Sequence, residues 1–266
     1  MSFANKVMVI TGASDGIGAE LARQLSRDKP KLVLAARRLD ALKAVAAQCE
    51  ALGATTFIKV TDVSIEADCR ALIAHAVDTF GGIDALVNNA GVSMHANFDE
   101  ITDTDVYEKL MRINLMGSIW PTHAALSHLK SSRGLVVAVS SLAGLIGVPG
   151  RTTYCATKFA QTGFFEALRV ELAPDGVDVC IVYPGVVATE IRRNGWNARG
   201  QTAGVSGLNE VGAMSVEQCA GLIVSAMRSL KREEIMSTKG KLGRWIKLIA
   251  PTKLDAMARA VLAKGR

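Results

Sequence analysis

Short apolar runs alternate with helix-length segments along almost the whole chain, and this alternation limits the fold more than any other feature. The runs lie near Val7–Ile10, Leu32–Ala35, Thr56–Val60, Ala85–Val87, Leu135–Val139, Val179–Val182 and Glu234–Met236. Helices are expected near Ile17–Arg27, Ala41–Leu52, Ala67–Phe80, Thr104–Lys130, Tyr154–Leu172 and Val216–Ser229. The first run, Lys6–Ile10, has no polar alternation, as befits a strand covered on both faces. Strand and helix in turn imply a parallel sheet with right-handed crossovers. Ligands of such sheets bind at the carboxyl ends of the strands.

The length of 266 residues suits one such domain, and an apolar content of 49% is enough to cover a sheet on both faces. No apolar stretch reaches the ~18 residues of a membrane span. The chain enters its first strand within six residues, which leaves no room for a signal peptide. Cys49, Cys69, Cys155, Cys180 and Cys219 are scattered and odd in number. They predict reduced thiols in a cytoplasmic setting, with neither a disulfide framework nor a zinc site. The histidines have no metal-ligand spacing, and no metal is expected. The basic excess is local. From Arg228 onward eleven Lys and Arg face only Glu233, Glu234 and Asp255, a surplus of eight in a chain whose total is +6. With no basic recognition motif or interleaved aromatics, nucleic acid is not an expected partner.

Four local patterns carry the chemistry. Thr11-Gly12-Ala13-Ser14-Asp15-Gly16-Ile17-Gly18 joins the first strand to the first helix. Glycine lets backbone approach a ligand closely, and a helix start offers free N–H groups to phosphate. Asn88-Asn89-Ala90-Gly91 ends the fourth run, and Ser140-Ser141 ends the fifth. Tyr154 and Lys158 stand four apart on the next helix, hence on one face. A free phenol has a pKa of about 10, and a cation one turn away favours its ionised form, which suits proton transfer.

Together these patterns resemble the short-chain dehydrogenases/reductases, from Lys6 to about Met236, and in particular the family's hydroxysteroid-dehydrogenase-like, NADP-dependent members. The resemblance implies a single doubly wound Rossmann-type α/β sheet flanked by helices, with a nicotinamide dinucleotide as cofactor. It implies Tyr154 as general acid/base and Lys158 as the cation beside it and on the nicotinamide ribose. Of the two serines it selects Ser141, thirteen residues before Tyr154, to hold the substrate oxygen. Asn114, otherwise a satisfied core amide, would hold a water that links Lys158 to solvent. The cofactor contacts expected are Gly12, Ser14, Gly16, Ile17 and Gly18 in the first turn, Asp62 and Val63 at the adenine, and Asn89, Ala90 and Gly91. Pro184, Val187 and Thr189 would hold the carboxamide, with Tyr154 and Lys158 completing the set. Arg37 and Arg38 follow the second strand with no acid before Asp40, so Arg37 is expected on a 2′-phosphate, which selects NADP over NAD. The pair could otherwise be solvated surface charge.

The activity implied is interconversion of a carbonyl and an alcohol. Leu142–Pro149 and the lid residues Ile191, Trp196, Val205, Leu208, Val211 and Met214 lean toward an apolar substrate. A non-catalytic dinucleotide sensor of the same fold is the alternative, but it would be expected to lose Ser, Tyr or Lys, and all are present. The catalytic domain is placed at residues 1–238 with a Gly-rich lid over about 188–214, and a basic tail at 239–266. In the tail Leu242, Trp245, Ile246 and Ile249 repeat at helical spacing, as do Leu254, Met257, Ala258, Val261 and Leu262. Two short amphipathic helices are expected. They would pack on the domain or in a homo-oligomer, with weak contact to an anionic membrane surface as the other use.

Overall fold

The protein is described by a computed structural model over residues 2–206 and 212–264, so Leu208 and Val211 of the lid lie outside the described residues. For Val261 and Leu262 the helical backbone alone is described. Seven strands, β1 (Val7–Thr11), β2 (Lys31–Ala36), β3 (Thr55–Val60), β4 (Ala85–Asn88), β5 (Leu135–Val139), β6 (Asp178–Tyr183) and β7 (Glu233–Ile235), form one sheet. The order is β3-β2-β1-β4-β5-β6-β7 and every pairing is parallel. The chain runs outward from β1 to β3 and then returns to place β4 beside β1. That reversal opens a crevice at the strand ends, where Ile10 pairs with Leu34 on one side and Val87 on the other.

Burial of both faces explains the unbroken apolar runs. Met8 and Ile10 point into one core with Leu21 and Leu25 of α1 (Gly16–Ser26), Leu42 of α2 (Leu39–Ala51) and Ile223 of α7 (Val216–Arg228). Val9, between them, points into the other core with Leu72 of α3 (Glu66–Phe80), Leu129 of α5 (Gly117–Ser132) and Phe165 of α6 (Thr152–Leu172). β1, β2, β4, β5 and β6 thus each contribute buried apolar side chains in both directions, and a period of two disappears from their sequences.

The helix expected over Thr104–Lys130 is interrupted. α4 (Asp105–Met111) passes into a wide π turn over Arg112–Met116 before α5 begins. Two features account for the break. Pro121 cannot donate to the carbonyl four residues back. The carboxamide of Asn114, inside the turn, is held by residues of other elements, and π turns of this kind recur at functional sites.

The predicted lid is a loop with its ends pinned together. Val187 and Met214 form a parallel bridge, with Ala188 N–H donating to Met214 O and Met214 N–H donating to Val186 O, both at 2.9 Å. The tail forms α8 (Thr238–Ile249) and α9 (Pro251–Lys264). α8 lies on the domain through its small and charged residues. Gly240 meets Leu142, Arg244 pairs with Glu233, and Lys247 donates to Leu145 O at 2.9 Å. Of the apolar stripe, Ile246 is half-buried and Leu242, Trp245 and Ile249 are exposed, so this stripe does not pack fully on its own domain.

Candidate active site

The glycine turn after β1 is shaped by backbone crowding. Gly12 has φ +66°, and a Cβ there would sit 2.9 Å from Ala90 Cα. A Cβ on Gly18 would sit 2.3 Å from Gly12 O, so no side chain fits. Asn89 closes the turn from the neighbouring strand, donating from Nδ2 to Thr11 O (3.0 Å) and Gly12 O (3.2 Å). The Thr11 hydroxyl in turn accepts N–H groups of Asn89 (3.0 Å) and Ala90 (3.1 Å). Asp15 caps α1, accepting the Gly16 N–H at 2.7 Å. The N–H groups of Ile17 and Gly18 have no helical carbonyl to meet, as at any helix start.

From this turn a cavity of about 500 Å³ runs along the strand ends to Tyr154. Gly12, Ser14, Gly16, Ile17, Asp62, Val63, Asn89, Ala90 and Gly91 line it, as expected. Arg37 and Arg38 both line it and both are exposed. Arg38 leans over the turn toward Asp15 Oδ2 (3.3 Å) and Ser14 Oγ (3.5 Å), a neighbourhood local spacing did not reveal. Asp62 Oδ1 accepts from the Ser64 N–H (2.9 Å) and hydroxyl (2.7 Å), which fixes this corner as an Asx turn. Two expected residues stand behind the wall. Gly18 is packing, as its crowding shows. Asn114 is fully buried, its Oδ1 accepting from Val92 N (2.8 Å) and its Nδ2 donating to Val92 O (3.0 Å) and Thr157 Oγ1 (3.0 Å).

At the far end Ser141, Tyr154 and Lys158 line the cavity, as do Pro184 and Val187, while Thr189 stands beside Gly16 of the glycine turn. Ser141 Oγ accepts the Ala143 N–H at 3.2 Å, which leaves its own proton for another acceptor. Ser140 turns away to the Lys158 carbonyl and Thr162 of α6, both at 3.3 Å, a supporting role. The Val187 carbonyl accepts from Thr189 N (2.9 Å) and Arg192 Nη2 (2.9 Å).

Lys158 Nζ lies 5.9 Å from the Tyr154 ring centroid, so the i, i+4 spacing does place the cation beside the phenol. The ammonium is buried and donates to Val139 O (2.9 Å) and Gln161 Oε1 (3.1 Å). An ammonium has three donors, so one remains for the cavity. Burial, and then the charge of Arg151, pull the Lys158 pKa down to about 7. Gln161 continues inward, donating to Ser118 Oγ (2.9 Å) and, at a long 3.5 Å, to Asn114 O. A carboxamide therefore bridges Lys158 and the Asn114 carbonyl. Gln161 was not legible locally: it sits mid-helix between Ala160 and Thr162 and gains meaning from what it touches.

Arg151 is the other residue that sequence reasoning missed. It caps the approach to α6, lines the cavity, and stacks its guanidinium 4.1 Å from the Tyr154 ring centroid. It also donates to Ser93 Oγ (2.6 Å) and Met94 O (3.4 Å). The one signal in the sequence was a lone Arg in the otherwise small and apolar stretch Val148-Pro149-Gly150-Arg151.

A family model described as short chain dehydrogenase matches residues 6–200. The chain belongs to the short-chain dehydrogenases. Among relatives, 11-beta-hydroxysteroid dehydrogenase-like 4A of Arabidopsis thaliana is 40% identical over 68% of this chain. The match spans 61% of that relative's own length. The 11-beta-hydroxysteroid dehydrogenase A of Sesamum indicum is 36% identical over 96% of this chain and 75% of its own. An alcohol dehydrogenase from the archaeon Thermococcus sibiricus, solved in complex with 5-hydroxy-NADP, superposes with a TM-score of 0.76 at 27% identity, covering 87% of this chain and 95% of its own. Short-chain dehydrogenases are oxidoreductases of alcohols and carbonyls that work with a nicotinamide dinucleotide. The cavity fits that group: a glycine cradle with no room for Cβ atoms at one end, free N–H groups at a helix start, and a lysine donor at the other end.

Proposed function

We propose that this protein is an NADP(H)-dependent oxidoreductase that interconverts a carbonyl and an alcohol with Tyr154 as general acid/base. The observation that carries the reading is the meeting of Ser141, Tyr154 and Lys158 on one cavity, with a spare ammonium donor and a spare serine proton there. The bound dinucleotide supplies or accepts the hydride. Ser141 donates to the substrate oxygen as charge grows there. Tyr154 gives that oxygen a proton in reduction and takes it back in oxidation. Lys158, fixed by Val139 and Gln161, stabilises the phenolate that remains.

NADP is preferred over NAD on the strength of Arg37 and Arg38. Arg37 makes no hydrogen bond among the described residues and is free for a 2′-phosphate, and Arg38 stands beside Ser14 at the same rim. Of the apolar residues expected to face the substrate that are described, Ile191 lines the cavity, Ala143, Val148 and Trp196 pack in the cluster that holds Tyr154, and Val205 is exposed. A panel of ketones and alcohols followed by NADPH and NADH absorbance tests the reading. Its failure would be no turnover with any carbonyl, or a preference for NADH.

The exposed stripe of α8 supports association in a homo-oligomer, and the five buried, free thiols support a reducing, cytoplasmic setting. No helix among the described residues is long and apolar enough to cross a membrane. Sizing by light scattering and pelleting with anionic vesicles, each with and without residues 239–266, separate subunit contact from membrane-surface contact.

A further inference from the structure

The substrate end of the cavity is built around cations. Arg151, Lys158 and Arg192 line it, while the acidic residues lining the cavity, Asp15 and Asp62, belong to the glycine-turn end. Arg151 is the decisive one. Its partners are all neutral: a hydroxyl, a carbonyl and the face of a phenol ring. Among the described residues no carboxylate pairs with it, and a guanidinium taken out of water needs compensation. Its charge is felt by its neighbours, since after burial it is a cause that holds both His95 and Lys158 below their ordinary ranges.

The geometry also leaves Arg151 able to bind. A guanidinium has five N–H donors; two are used on Ser93 and Met94 and the Tyr154 side chain can take a third, so donors still remain beside Tyr154. These match an oxyanion better than a neutral group.

We propose that the substrate is a small oxo acid, or the hydroxy acid formed from it, whose carboxylate is bound by Arg151 a few bonds from the reacting carbon. This rests on the oxidoreductase reading above and names its substrate class. In the reducing direction the carbonyl carbon takes a hydride from the reduced dinucleotide and the oxygen takes the Tyr154 proton. The hydroxy acid leaves with its carboxylate unchanged, and solvent restores the phenol proton. Arg151 does no chemistry in this scheme; it selects and orients.

The test compares a short 3-oxo acid with its methyl ester and with a neutral hydroxysteroid, in the wild type, Arg151→Met and Arg151→Lys. The readout is the ratio of kcat/KM for acid over ester, because any disturbance of the stacked Tyr154 ring acts on both substrates and cancels. The wild type should favour the acid by about tenfold or more, and Arg151→Met should lower that ratio by about 100-fold, chiefly through KM. Arg151→Lys should fall between, keeping the charge without the fork. A second measurement needs no turnover: calorimetry of butyrate with the NADP-bound protein should show binding that Arg151→Met abolishes. A wild-type ratio of one or less, a ratio unmoved by Arg151→Met, or equal butyrate binding in both forms would overturn the proposal. Brisk turnover of the ester or the steroid alone would overturn it and leave the oxidoreductase reading intact. No turnover of any carbonyl would sink both.

Discussion

The two ends of the cavity hold arginines in opposite circumstances. Arg37 and Arg38 stand at the open rim, exposed, and Arg38 reaches an aspartate whose side chain is itself about as exposed. Arg151 sits inside, stacked on a ring and bonded to neutral groups. Two unit charges 4 Å apart interact by about 1 kcal/mol in water and by about 4 kcal/mol at an effective dielectric near 20. The rim can therefore change charge at modest cost and adjust which ligand it prefers. The inner end is a coupled set, in which Arg151, Tyr154, Lys158 and Gln161 each fix another, and single changes there should be severe.

The hardest test of that contrast is Tyr154→Phe. It keeps the ring that Arg151 stacks on and removes the proton carrier. Turnover should fall by about 1000-fold with NADPH affinity nearly unchanged, as fluorescence titration would show. A fall of less than about tenfold would remove Tyr154 from the chemistry.

Lys158 offers a test of burial itself. Its folded pKa is near 7, while an unfolded lysine titrates at about 10.4. Between those values the unfolded chain binds more protons, so the ligand-free protein gains stability as pH rises from 7 toward 10 and gains nothing from this group below 7. The gain is at most about 5 kcal/mol. Urea denaturation of wild type and Lys158→Met across that window should show their difference growing with pH in favour of the wild type. Parallel curves would mean that the ammonium is not held out of water.

At the glycine turn, Gly18→Ala must move both the Gly12 backbone and the Asn89 side chain, and should cost roughly 1–3 kcal/mol in thermal or urea unfolding. At the rim, Arg37→Asp should shift the NADPH to NADH ratio of kcat/KM by about tenfold, the smallest effect of the set, because Arg38 remains. If Arg37→Asp outweighs Lys158→Met in its effect on turnover, the contrast between the ends is wrong.

Local sequence was informative wherever a residue acts through its own neighbours. The glycine turn, the strand ends and the Tyr154–Lys158 pair are of this kind, since backbone crowding and an i, i+4 spacing are set within a few residues. It was silent on Gln161 and Arg151. Each acts on partners that the fold brings from distant elements: Ser118 and the Asn114 carbonyl for one, Ser93 and Met94 for the other. The Thr104–Lys130 helix was misread for the same reason, as Asn114 is held by Val92 and Thr157 from outside its own helix.

The tail shows the same division. Its amphipathic period was plain in the residues and does form α8 and α9. Which face the domain takes was decided by shape. Gly240 and Gly243 let the helix backbone close on Leu142 and Ile146, while Arg244 and Lys247 find Glu233, Leu145 and Phe159, so most of the apolar stripe is left outside. Periodicity determines that a helix has two faces, because it depends on side chains a turn apart. Only the tertiary structure decides which face is buried, because that depends on the depth and charge of a surface assembled from three other parts of the chain.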